Sequence, residues 1–306
     1  MISLMGILVV GSVALDTIKT PFGQVEEALG GSATYFSVSA SYFTDVRVVA
    51  VVGEDFPEKH VSMLKSKKVC LKGLERAPGK TFRWAGFYDY DLNTAHTLKT
   101  ELNVFESFEP KLPEEYANSD IVFLANIDPV LQRRVLSQVK SPRLVAADTM
   151  NFWIENKRDE LIETLKLVDI LTINESEARE LSGEPNLIKA ARKVLSFGPK
   201  TLIIKRGEYG VLMFNDGNFF SAPAYPLEAV YDPTGAGDTF AGGFMGYISS
   251  IMDWADPNLR KALVMGSVMA SYAVEDFSLG GIKALDYKEI EGRFKEFKKL
   301  SHFEDL

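Results

Sequence analysis

An alternation of strand-like and helix-like segments is the feature of this sequence that most constrains its fold. Short runs rich in β-branched residues are apolar at every position, and the segments between them repeat apolar residues at helical spacing. Strands that are apolar throughout are buried on both faces, which is typical of a parallel sheet sandwiched by helices. The sequence therefore predicts a doubly wound α/β fold with a mostly parallel sheet. The predicted strands cover residues 7–10, 46–52, 121–124, 144–147, 170–173 and 201–204, and the predicted helices cover residues 34–42, 57–65, 130–139, 160–168, 175–181 and 188–195.

Two stretches interrupt the alternation, at about residues 16–27 and 81–105. Both have period-2 or mixed patterns with many turn residues, so we expect their strands to form a small sheet that stands off the main one. In the second stretch, Phe82, Trp84, Tyr88 and Tyr90 fall on one strand face, and Arg83, Phe87 and Asp89 fall on the other. The aromatic face either packs on the domain or on a partner subunit, or it closes over a ligand as lids do.

No repeat, low-complexity stretch or long linker divides the chain, so we expect residues 1–306 to form one domain with the small sheet inserted in it. The longest apolar runs, such as residues 121–125, are far shorter than the ~20 residues of a membrane-spanning helix. Residues 1–10 lack the basic segment that begins a secretory leader. The expected location is the cytoplasm, without membrane association.

Charge and metal-ligand content exclude two further classes of protein. The net charge of −8 gives no basic field that could follow a nucleic-acid backbone. Cys70 is the single cysteine, and His60, His96 and His302 are the three histidines, so no Cys/His set has zinc-binding spacing. We therefore expect neither a nucleic-acid partner nor structural zinc, although local donors could still bind a small anionic ligand.

The most informative segment is YDPTGAGDTFAGGFMG at residues 231–246. Gly235-Ala236-Gly237 opens a helix of small and apolar residues. The first turn of a helix carries unpaired amide groups and a partial positive charge, and the two glycines let an anion approach the backbone. The pattern indicates a binding site for a phosphoryl group.

Asp238 follows these amides directly, where its carboxylate would repel a bound phosphate. A carboxylate that accepts the proton of an attacking hydroxyl explains its presence, because phosphoryl transfer pairs anion-stabilising donors with a positioned base. The alternative is that Asp238 is only a helix N-cap, a position that aspartate favours. The segment is not a P-loop, since GxxxxGK[ST] is absent, nor a dinucleotide fingerprint, since Phe240 stands where its third glycine belongs.

The segment DPTGAGDTFAGGF resembles the second signature of the ribokinase-like (PfkB) carbohydrate kinase family. Further landmarks of that family follow in the same order over essentially the whole chain: GSVALD (11–16), the glycine pair at 30–31, GEDF (53–56), DTMN (148–151), NESE (174–177) and KRGEYG (205–210). The resemblance implies a ribokinase-like fold in which the small sheet is a lid. It also implies that ATP and Mg²⁺ are cofactors.

The resemblance assigns the catalytic and acceptor-binding residues. It implies that Asp238 is the base and that Gly235, Ala236 and Gly237 supply the amides of the anion hole. It further implies that the acceptor is bound by Asp16, at the end of the first strand, and by Gly30 and Gly31, which let it lie against the backbone. An exposed turn aspartate and a helix-start glycine pair are the alternatives for these positions.

Two positions depart from the family members that phosphorylate ribose. Ala14 and Tyr35 stand where those members have asparagines that hold sugar hydroxyls, which argues against ribose itself. Tyr35, Trp84 or Phe87 could instead stack on a ring of the acceptor.

The nucleotide-binding residues implied by the resemblance are less specific. Asn174 and Glu177 match an N-x-x-E motif associated with the phosphates and, indirectly, with Mg²⁺, but the same motif is also a helix cap. Gly207 and Gly210 match a nucleotide-contacting turn. Lys205 replaces the usual threonine there, and it either approaches a phosphate or is a surface lysine.

Two further features follow from the resemblance. Asp232 and Thr234 match the family site for a monovalent cation such as K⁺. Residues 263–281 match the small-residue helix and loop that enclose the adenine, although a closely packed buried helix would show the same pattern.

The sequence thus predicts an ATP-dependent kinase that phosphorylates a hydroxyl of a small sugar or polyol, such as a cyclitol. A nucleoside kinase of the same family is the nearest alternative. A catalytically silent binding protein on the same fold is a more distant one, and a nicotinamide-dependent dehydrogenase is disfavoured because GSVALD lacks a glycine fingerprint. A homodimer formed through the lid is a further expectation.

Overall fold

The computed structural model describes residues 6–302 and 304. The prediction that residues 1–10 are not a secretory leader therefore falls partly outside the described residues. A nine-stranded sheet forms the centre, in the order β13-β12-β11-β10-β9-β8-β1-β4-β5. All its neighbouring pairs are parallel except those that β12 makes. Its strands are β1 Gly6–Val10, β4 Asp45–Gly53, β5 Val69–Ala77, β8 Ile121–Leu124, β9 Leu144–Asp148, β10 Ile170–Asn174, β11 Thr201–Lys205, β12 Val211–Asn215 and β13 Asn218–Ala222.

Helices cover both faces of this sheet, which confirms the predicted sandwich. The residues of β1 alternate between two cores: Ile7 and Val9 belong to one, and Leu8 and Val10 to the other. α1, α8 and α9 contribute to the first core, and α3, α5, α6 and α7 to the second. The helices are α1 Ser32–Ala40, α2 Glu58–Ser66, α3 Pro129–Leu136, α4 Asn151–Asn156, α5 Arg158–Leu165, α6 Glu175–Ser182, α7 Leu187–Leu195, α8 Ala236–Ile251, α9 Asp256–Ala273 and α10 Tyr287–Leu300.

A second sheet of four strands, which we call the small sheet, forms from the two stretches that interrupt the alternation. Its order is β3-β2-β6-β7; β2 and β6 are parallel, and the outer pairs are antiparallel. The backbone amide and the hydroxyl of Thr81 both donate to Asp55 Oδ1 at 2.7 Å, so the GEDF segment holds the start of β6. Its strands are β2 Ala14–Thr20, β3 Gly23–Gly30, β6 Arg83–Tyr88 and β7 Ala95–Glu101.

The six predicted strands and the six predicted helices are all present, with boundaries shifted by a few residues. The edge strands β5 and β13, strand β12, and the helices α4 and α10 are not among the predicted elements. β5 and β13 have exposed residues along their length, so they lack the uninterrupted apolar character that marks the buried strands. No helix among the described residues is long and apolar enough to cross a membrane.

The topology brings the ends of three parallel strands to one edge of the sheet. β9 ends at Asp148, β10 at Asn174 and β11 at Lys205, and the register pairs Asp148 with Thr172 and Asn174 with Lys205. Ligands of open α/β sheets bind outside the carboxyl ends of the strands. The polar residues at this edge are therefore candidates for a ligand-binding or catalytic site.

Candidate active site

The glycine turn at residues 234–237 leads directly into α8, as the sequence predicts. Gly235 is the N-cap, with φ at 72°, a left-handed conformation that favours glycine. Asp238 is the third residue of the helix, and no side chain caps this end. The N-cap alternative for Asp238 is therefore excluded, and its carboxylate is not engaged in holding the helix end.

Of the three amides expected to form the anion hole, that of Ala236 is already hydrogen-bonded within the turn. The amide of Ala236 donates to the carbonyl of Pro233 at 3.2 Å, so it is committed to the turn. The amide of Thr239 donates to the carbonyl of Gly235 at 2.8 Å. Among the described residues, the amides of Gly235, Gly237 and Asp238 donate to no acceptor, which leaves them available to an anion.

Asp238 is a partly buried carboxylic acid with an altered acidity. Desolvation is the largest cause that raises its pKa to about 7, and the nearby carboxylate of Asp148 adds to it, while Lys205 acts in the opposite direction. A base whose pKa lies near neutral pH can take up a proton and return it under physiological conditions. This agrees with the role in proton transfer predicted for Asp238.

Tyr35 lies against the glycine turn. A methyl group at Gly235 would lie 2.4 Å from carbon atoms of the Tyr35 ring, so the turn packs directly on that ring. Tyr35 is 1% exposed, and its hydroxyl is buried beside the side chain of Ser278. The ring therefore has no exposed face on which a ligand could stack.

Asp16 lies within β2 of the small sheet, not at the end of the first strand, which stops at Val10. Its side chain fills the space beside Gly30: a methyl group at Gly30 would lie 1.9 Å from Asp16 Oδ2. Burial raises its pKa to about 7 despite a hydrogen bond from the Gly31 amide, and Asp232 and Asp238 raise it further. Asp16 thus occupies the space beside Gly30, and Gly31, at φ 94°, is the N-cap of α1, which matches the helix-start alternative. Contact of an acceptor with the backbone of these two glycines stays a prediction.

We call the face of the small sheet that carries Asp16 its inner face. An aromatic side chain on this face adjoins Asp16. β2 pairs with β6 so that Asp16 stands beside Trp84, which places both side chains on one face. A methyl group at Gly86 would lie 2.3 Å from the indole of Trp84, so the indole lies across that glycine. Phe87 is on the opposite face, where its ring stacks on His96 at 4.7 Å. Of the three predicted stacking residues, Trp84 is the one placed for the role.

Asp232 is buried and holds the loop that precedes α8. Its carboxylate accepts hydrogen bonds from the amides of Thr234 at 2.8 Å and Ser278 at 2.9 Å. The hydroxyl of Thr234 lies 3.2 Å from that of Tyr88, a residue of β6. This hydrogen bond joins the small sheet to the glycine turn. Binding of a monovalent cation by Asp232 and Thr234 stays a prediction.

Lys205 is not a surface lysine. Its ammonium pairs with Asp148 Oδ2 at 2.9 Å, and the two side chains are 18% and 6% exposed. Burial opposes the charged form of Lys205, but the carboxylates of Asp148 and Glu177 outweigh it and raise the pKa of the lysine. Lys205 therefore carries a positive charge inside the site.

Asn174 and Glu177 form the helix cap that was the alternative for this motif. The amide of Glu177 donates to Asn174 Oδ1, and the amide of Asn174 donates to Glu177 Oε2, both at 2.8 Å. This reciprocal pair is a capping box at the start of α6. Burial raises the pKa of Glu177, as does Asp148, whereas Lys205 lowers it. Glu177 is thus both a cap and a charged neighbour of Lys205.

The turn at residues 207–210 requires both of its glycines. Gly207 has φ at 55°, and Gly210 has φ at 84°. A methyl group at Gly210 would lie 2.2 Å from the carbonyl oxygen of Ala222, and one at Gly207 would lie 2.8 Å from Asn93 Oδ1. Asn93 belongs to the β6–β7 loop, so the small sheet reaches this turn as well as the glycine turn before α8.

The small-residue segment from residue 263 forms most of α9, and its packing matches the buried-helix alternative. A methyl group at Gly266 would lie 2.8 Å from the carbonyl oxygen of Phe240, so α9 packs closely on α8. Enclosure of an adenine by this segment remains a prediction.

The described residues contain no group of three or more His, Cys, Asp or Glu side chains arranged to hold a metal ion. Mg²⁺ commonly binds through substrate phosphates and water with one or two carboxylates. Magnesium that arrives with a nucleotide would fit such a site, with Glu177 and Asp148 as the carboxylates near the phosphates.

Sequence reasoning missed the functional position of Asp148 and the contact made by Tyr88. In the sequence, Asp148 stands out only as the start of the DTMN landmark, although its place at the end of an apolar strand is a signal for a site residue. Tyr88 was assigned to the correct strand face, but its partner Thr234 is 146 residues away in sequence. Nothing in the local pattern of either segment indicates that contact.

Comparisons with known proteins identify the family and the fold of this chain. The model of the pfkB family carbohydrate kinases matches residues 6–283. The cytidine kinase of Thermococcus kodakarensis is 34% identical over 248 residues, which are 79% of this chain and 88% of the relative. A crystal structure of the nucleoside kinase of Methanocaldococcus jannaschii superposes with a TM-score of 0.78 at 21% identity, covering 95% of this chain and 98% of that one. A putative ribokinase II of E. coli in complex with ATP and Mg²⁺ superposes with a TM-score of 0.77 at 18% identity, covering 95% and 99%.

Proposed function

Because this chain belongs to the PfkB family of carbohydrate kinases, we propose that it transfers the γ-phosphoryl group of ATP to a hydroxyl group of a nucleoside. The observation that carries the choice of acceptor is the pair formed by Asp16 and Trp84. These two residues are adjacent on the inner face of the small sheet, and they offer a carboxylate and an aromatic surface side by side. A nucleoside has ribose hydroxyls for the carboxylate and a planar base for the aromatic surface.

Asp238 acts as the general base of this reaction. It accepts the proton of the attacking hydroxyl as the acceptor oxygen bonds to the γ-phosphorus and the bond from that phosphorus to the bridging oxygen of ADP breaks. The free amides of Gly237 and Asp238 donate to the oxygens of the transferring group, at the positive end of α8.

Asp16 holds the acceptor by its hydroxyls. A carboxyl group with a pKa of about 7 is present in both protonation states at neutral pH, so it can accept or donate a hydrogen bond to a neutral ligand. The buried hydroxyl of Tyr35 is a second polar group on this side of the glycine turn. An uncharged, hydroxyl-rich acceptor suits these groups better than an anion, which the carboxylates would repel.

Trp84 supplies the surface on which the base stacks. One face of its indole lies on the backbone at Gly86, and its Nε1 donates to Thr97 Oγ1 at 3.1 Å, so the ring is held in a fixed orientation. A fixed aromatic ring contributes about 1–3 kcal/mol per stacked base. The cytidine kinase to which this chain is similar has a nucleoside as its named substrate, which supports the same choice.

ATP and magnesium would be held on the other side of the glycine turn. The glycines at 207 and 210, the Lys205 ammonium and the Glu177 carboxylate lie there, and bound Mg²⁺ would neutralise phosphate charge. The family resemblance to an E. coli protein with ATP and Mg²⁺ bound supports these cofactors. A K⁺ site at Asp232 and Thr234 remains part of the proposal.

The small sheet acts as the lid of this site. Tyr88 contacts Thr234 of the glycine turn, and Asn93 adjoins Gly207, so the sheet spans both sides of the reaction centre. Covering the site excludes water, which would otherwise compete with the acceptor hydroxyl.

The test is a coupled ADP-release assay with Mg-ATP and a panel of nucleosides, pentoses, hexoses and inositols. We expect cytidine or another nucleoside to give the highest kcat/KM. Trp84→Ala should lower that kcat/KM by about 10- to 100-fold, mainly through KM, because stacking is lost. Phe87→Ala, on the opposite face of the same strand, is the matched control and should change kcat/KM by less than about threefold.

Two outcomes would contradict the proposal. Higher kcat/KM for a free sugar or polyol, unchanged by Trp84→Ala, would assign the site to those acceptors. No ADP release with any acceptor, despite measurable ATP binding, would favour a silent binding protein.

A further inference from the structure

We propose that Lys205 is a catalytic residue that binds the transferring phosphoryl group, and that Asp148 is the residue that positions it. The inference rests on the phosphoryl transfer of the proposed function, but it does not depend on which acceptor is used. It adds a charged side chain to an anion hole that was expected to consist of backbone amides.

The first support is the geometry of the ion pair. Lys205 is the last residue of β11 and Asp148 the last of β9, so both backbones are fixed by the central sheet. Their side chains meet at 2.9 Å, and the other oxygen of Asp148 accepts the amide of Thr149 at 2.8 Å. Both carboxylate oxygens of Asp148 thus accept hydrogen bonds. The carboxylate and the Lys205 ammonium paired with it are therefore held in one orientation.

The second support is the contact between Lys205 and the glycine turn. A methyl group at Gly237 would lie 2.9 Å from the Lys205 ammonium nitrogen. The second glycine of the turn therefore makes room for this ammonium as well as for an anion. The lysine thus adjoins the part of the turn in which the amides of Gly237 and Asp238 have no acceptor among the described residues.

The third support is the charge at this position. The amino-terminal end of α8 carries partial positive charge, which makes a cation there unfavourable unless anions adjoin it. Asp148, Glu177 and Asp238 all act on Lys205 and favour its charged form. A phosphoryl group bound between the ammonium and the helix end would interact favourably with both positive groups.

The step remains balanced when Lys205 takes part. The acceptor oxygen forms its bond to phosphorus and gives its proton to Asp238, and ADP leaves with the electron pair of the broken bond. Lys205 donates a hydrogen bond to a non-bridging oxygen of the moving group and keeps its proton throughout. The positive charge of Lys205 stabilises the transferring group most in the transition state, because the negative charge on that group is greatest there.

The experiment uses Lys205→Met, which keeps the length of the side chain and removes the charge. We measure kcat and KM with the best acceptor, and we measure by calorimetry the affinities for adenylyl imidodiphosphate and for ADP. We expect kcat to fall about 100-fold. The affinity for the triphosphate analogue should fall about tenfold or more, and that for ADP less than threefold, because ADP lacks the phosphoryl group that Lys205 binds.

Lys200→Met is the matched control. Lys200 also pairs with an aspartate, Asp169, at 2.8 Å, but its side chain is 81% exposed and lies at the start of β11. This variant should leave kcat and both affinities within about twofold of the wild type.

A second variant keeps the test decisive if Lys205→Met fails to fold because Asp148 is left unpaired. The double variant Lys205→Met with Asp148→Asn removes both charges, and we expect the same fall in the ratio of the two affinities. A folded variant in which kcat and the ratio stay within threefold of the wild type would overturn the proposal. So would equal losses for the analogue and ADP, which would indicate a general effect on the nucleotide site.

The affinity measurements also separate this proposal from the choice of acceptor. If no nucleoside is phosphorylated but a sugar is, the kinetic measurement uses that sugar. If no acceptor is found, the ratio of analogue to ADP affinity still decides the role of Lys205.

Discussion

The glycine turn before α8 divides the candidate site into two parts that differ in their electrostatics. On one side, Asp16 and Asp232 are buried carboxyl groups whose hydrogen bonds come from backbone amides, and Tyr35 packs on Gly235. On the other side, Asp148 and Glu177 surround an ammonium group, that of Lys205, which packs on Gly237. We call these the acceptor side and the phosphoryl side.

The difference shows how one turn can serve two ligands of unlike charge. Carboxyl groups without an adjacent cation favour a neutral ligand with hydroxyl groups, because they repel anions and hydrogen-bond to hydroxyls. A buried ammonium beside free amides favours a phosphoryl group. Asp238 lies between the two sides, where an acceptor hydroxyl would meet the phosphoryl group. The predictions below alter either the residue between the two sides or one side at a time.

The largest expected effect is that of Asp238→Asn, which removes the base but keeps the shape of the side chain. We expect kcat to fall about 10³-fold in the coupled assay. Binding of acceptor and of ATP, measured by calorimetry, should change by less than about threefold, because neither side of the site is altered. Asp216→Asn, at an exposed hairpin turn, is the control and should have wild-type kcat. If Asp238→Asn retained turnover, Asp238 would not be the general base.

The raised pKa of Asp16 predicts how the free energy of unfolding depends on pH. Its folded-state pKa of about 7 exceeds the ordinary value of 3.8, so the folded protein binds this proton more tightly than the unfolded chain does. The free energy of unfolding should therefore fall as pH rises from about 4 to 7, and Asp16 contributes on the order of a few kcal/mol to that fall. Asp238 and Glu177 also have raised pKa values and act in the same direction.

Urea unfolding of the wild type and of Asp16→Asn at several pH values measures this effect. The variant should lose less stability between pH 4 and pH 7, and at pH 8 it should be the more stable of the two. Parallel curves for the two proteins would show that Asp16 ionises as an ordinary aspartate, and the contrast between the two sides would then be lost.

Alanine at each glycine of the turn tests the two sides separately. Gly235→Ala would force a left-handed alanine against the Tyr35 ring, and we expect a loss of about 2–4 kcal/mol in unfolding free energy. Gly237→Ala meets only the end of a flexible lysine, so we expect a loss below about 1 kcal/mol, with kcat lowered about tenfold by displacement of the ammonium.

Two other glycines are matched controls for these substitutions. Gly183 has φ at 70° and nothing within 4 Å of an added methyl group, so Gly183→Ala isolates backbone strain, about 1 kcal/mol. Gly292 lies within α10 with equally open surroundings, and Gly292→Ala should stabilise the protein by about 0.5–1 kcal/mol. If Gly235→Ala costs no more than Gly183→Ala, the contact with Tyr35 is unimportant for stability.

The smallest expected effect is that of Tyr88→Phe, which removes the hydrogen bond between the small sheet and Thr234. We expect KM for the acceptor to rise about threefold, since one such hydrogen bond contributes about 0.5–1.5 kcal/mol. The KM for ATP should stay unchanged, because the contact lies beside the acceptor side. Tyr90→Phe is the control, as Tyr90 is 84% exposed. Equal changes in both KM values would instead indicate that the sheet closes over both ligands as a unit.

Several site residues were accessible to sequence reasoning because their signals are local. The glycine turn and Asp238 are contiguous, and the chemistry of anions at helix ends identifies them. The alternating apolar segments likewise predict a sandwich, since burial on both faces leaves a strand no polar position. Lys205 was located at the right turn, but its two alternatives, a phosphate contact and a surface lysine, could not be separated. That decision requires Asp148, which is 57 residues away in sequence.

The sequence by itself therefore determined the layered α/β fold, the glycine turn and the carboxylate that follows it, because periodicity and turn chemistry act over a few residues. The tertiary structure alone decided that Tyr35 packs on Gly235, that Trp84 and not Phe87 adjoins Asp16, and that Lys205 is buried against Asp148. These facts depend on strand order and register, which bring together side chains that are distant along the chain. The burial of these side chains and the charges around them set the pKa of each group. No local pattern of residues specifies either the burial or the neighbouring charges.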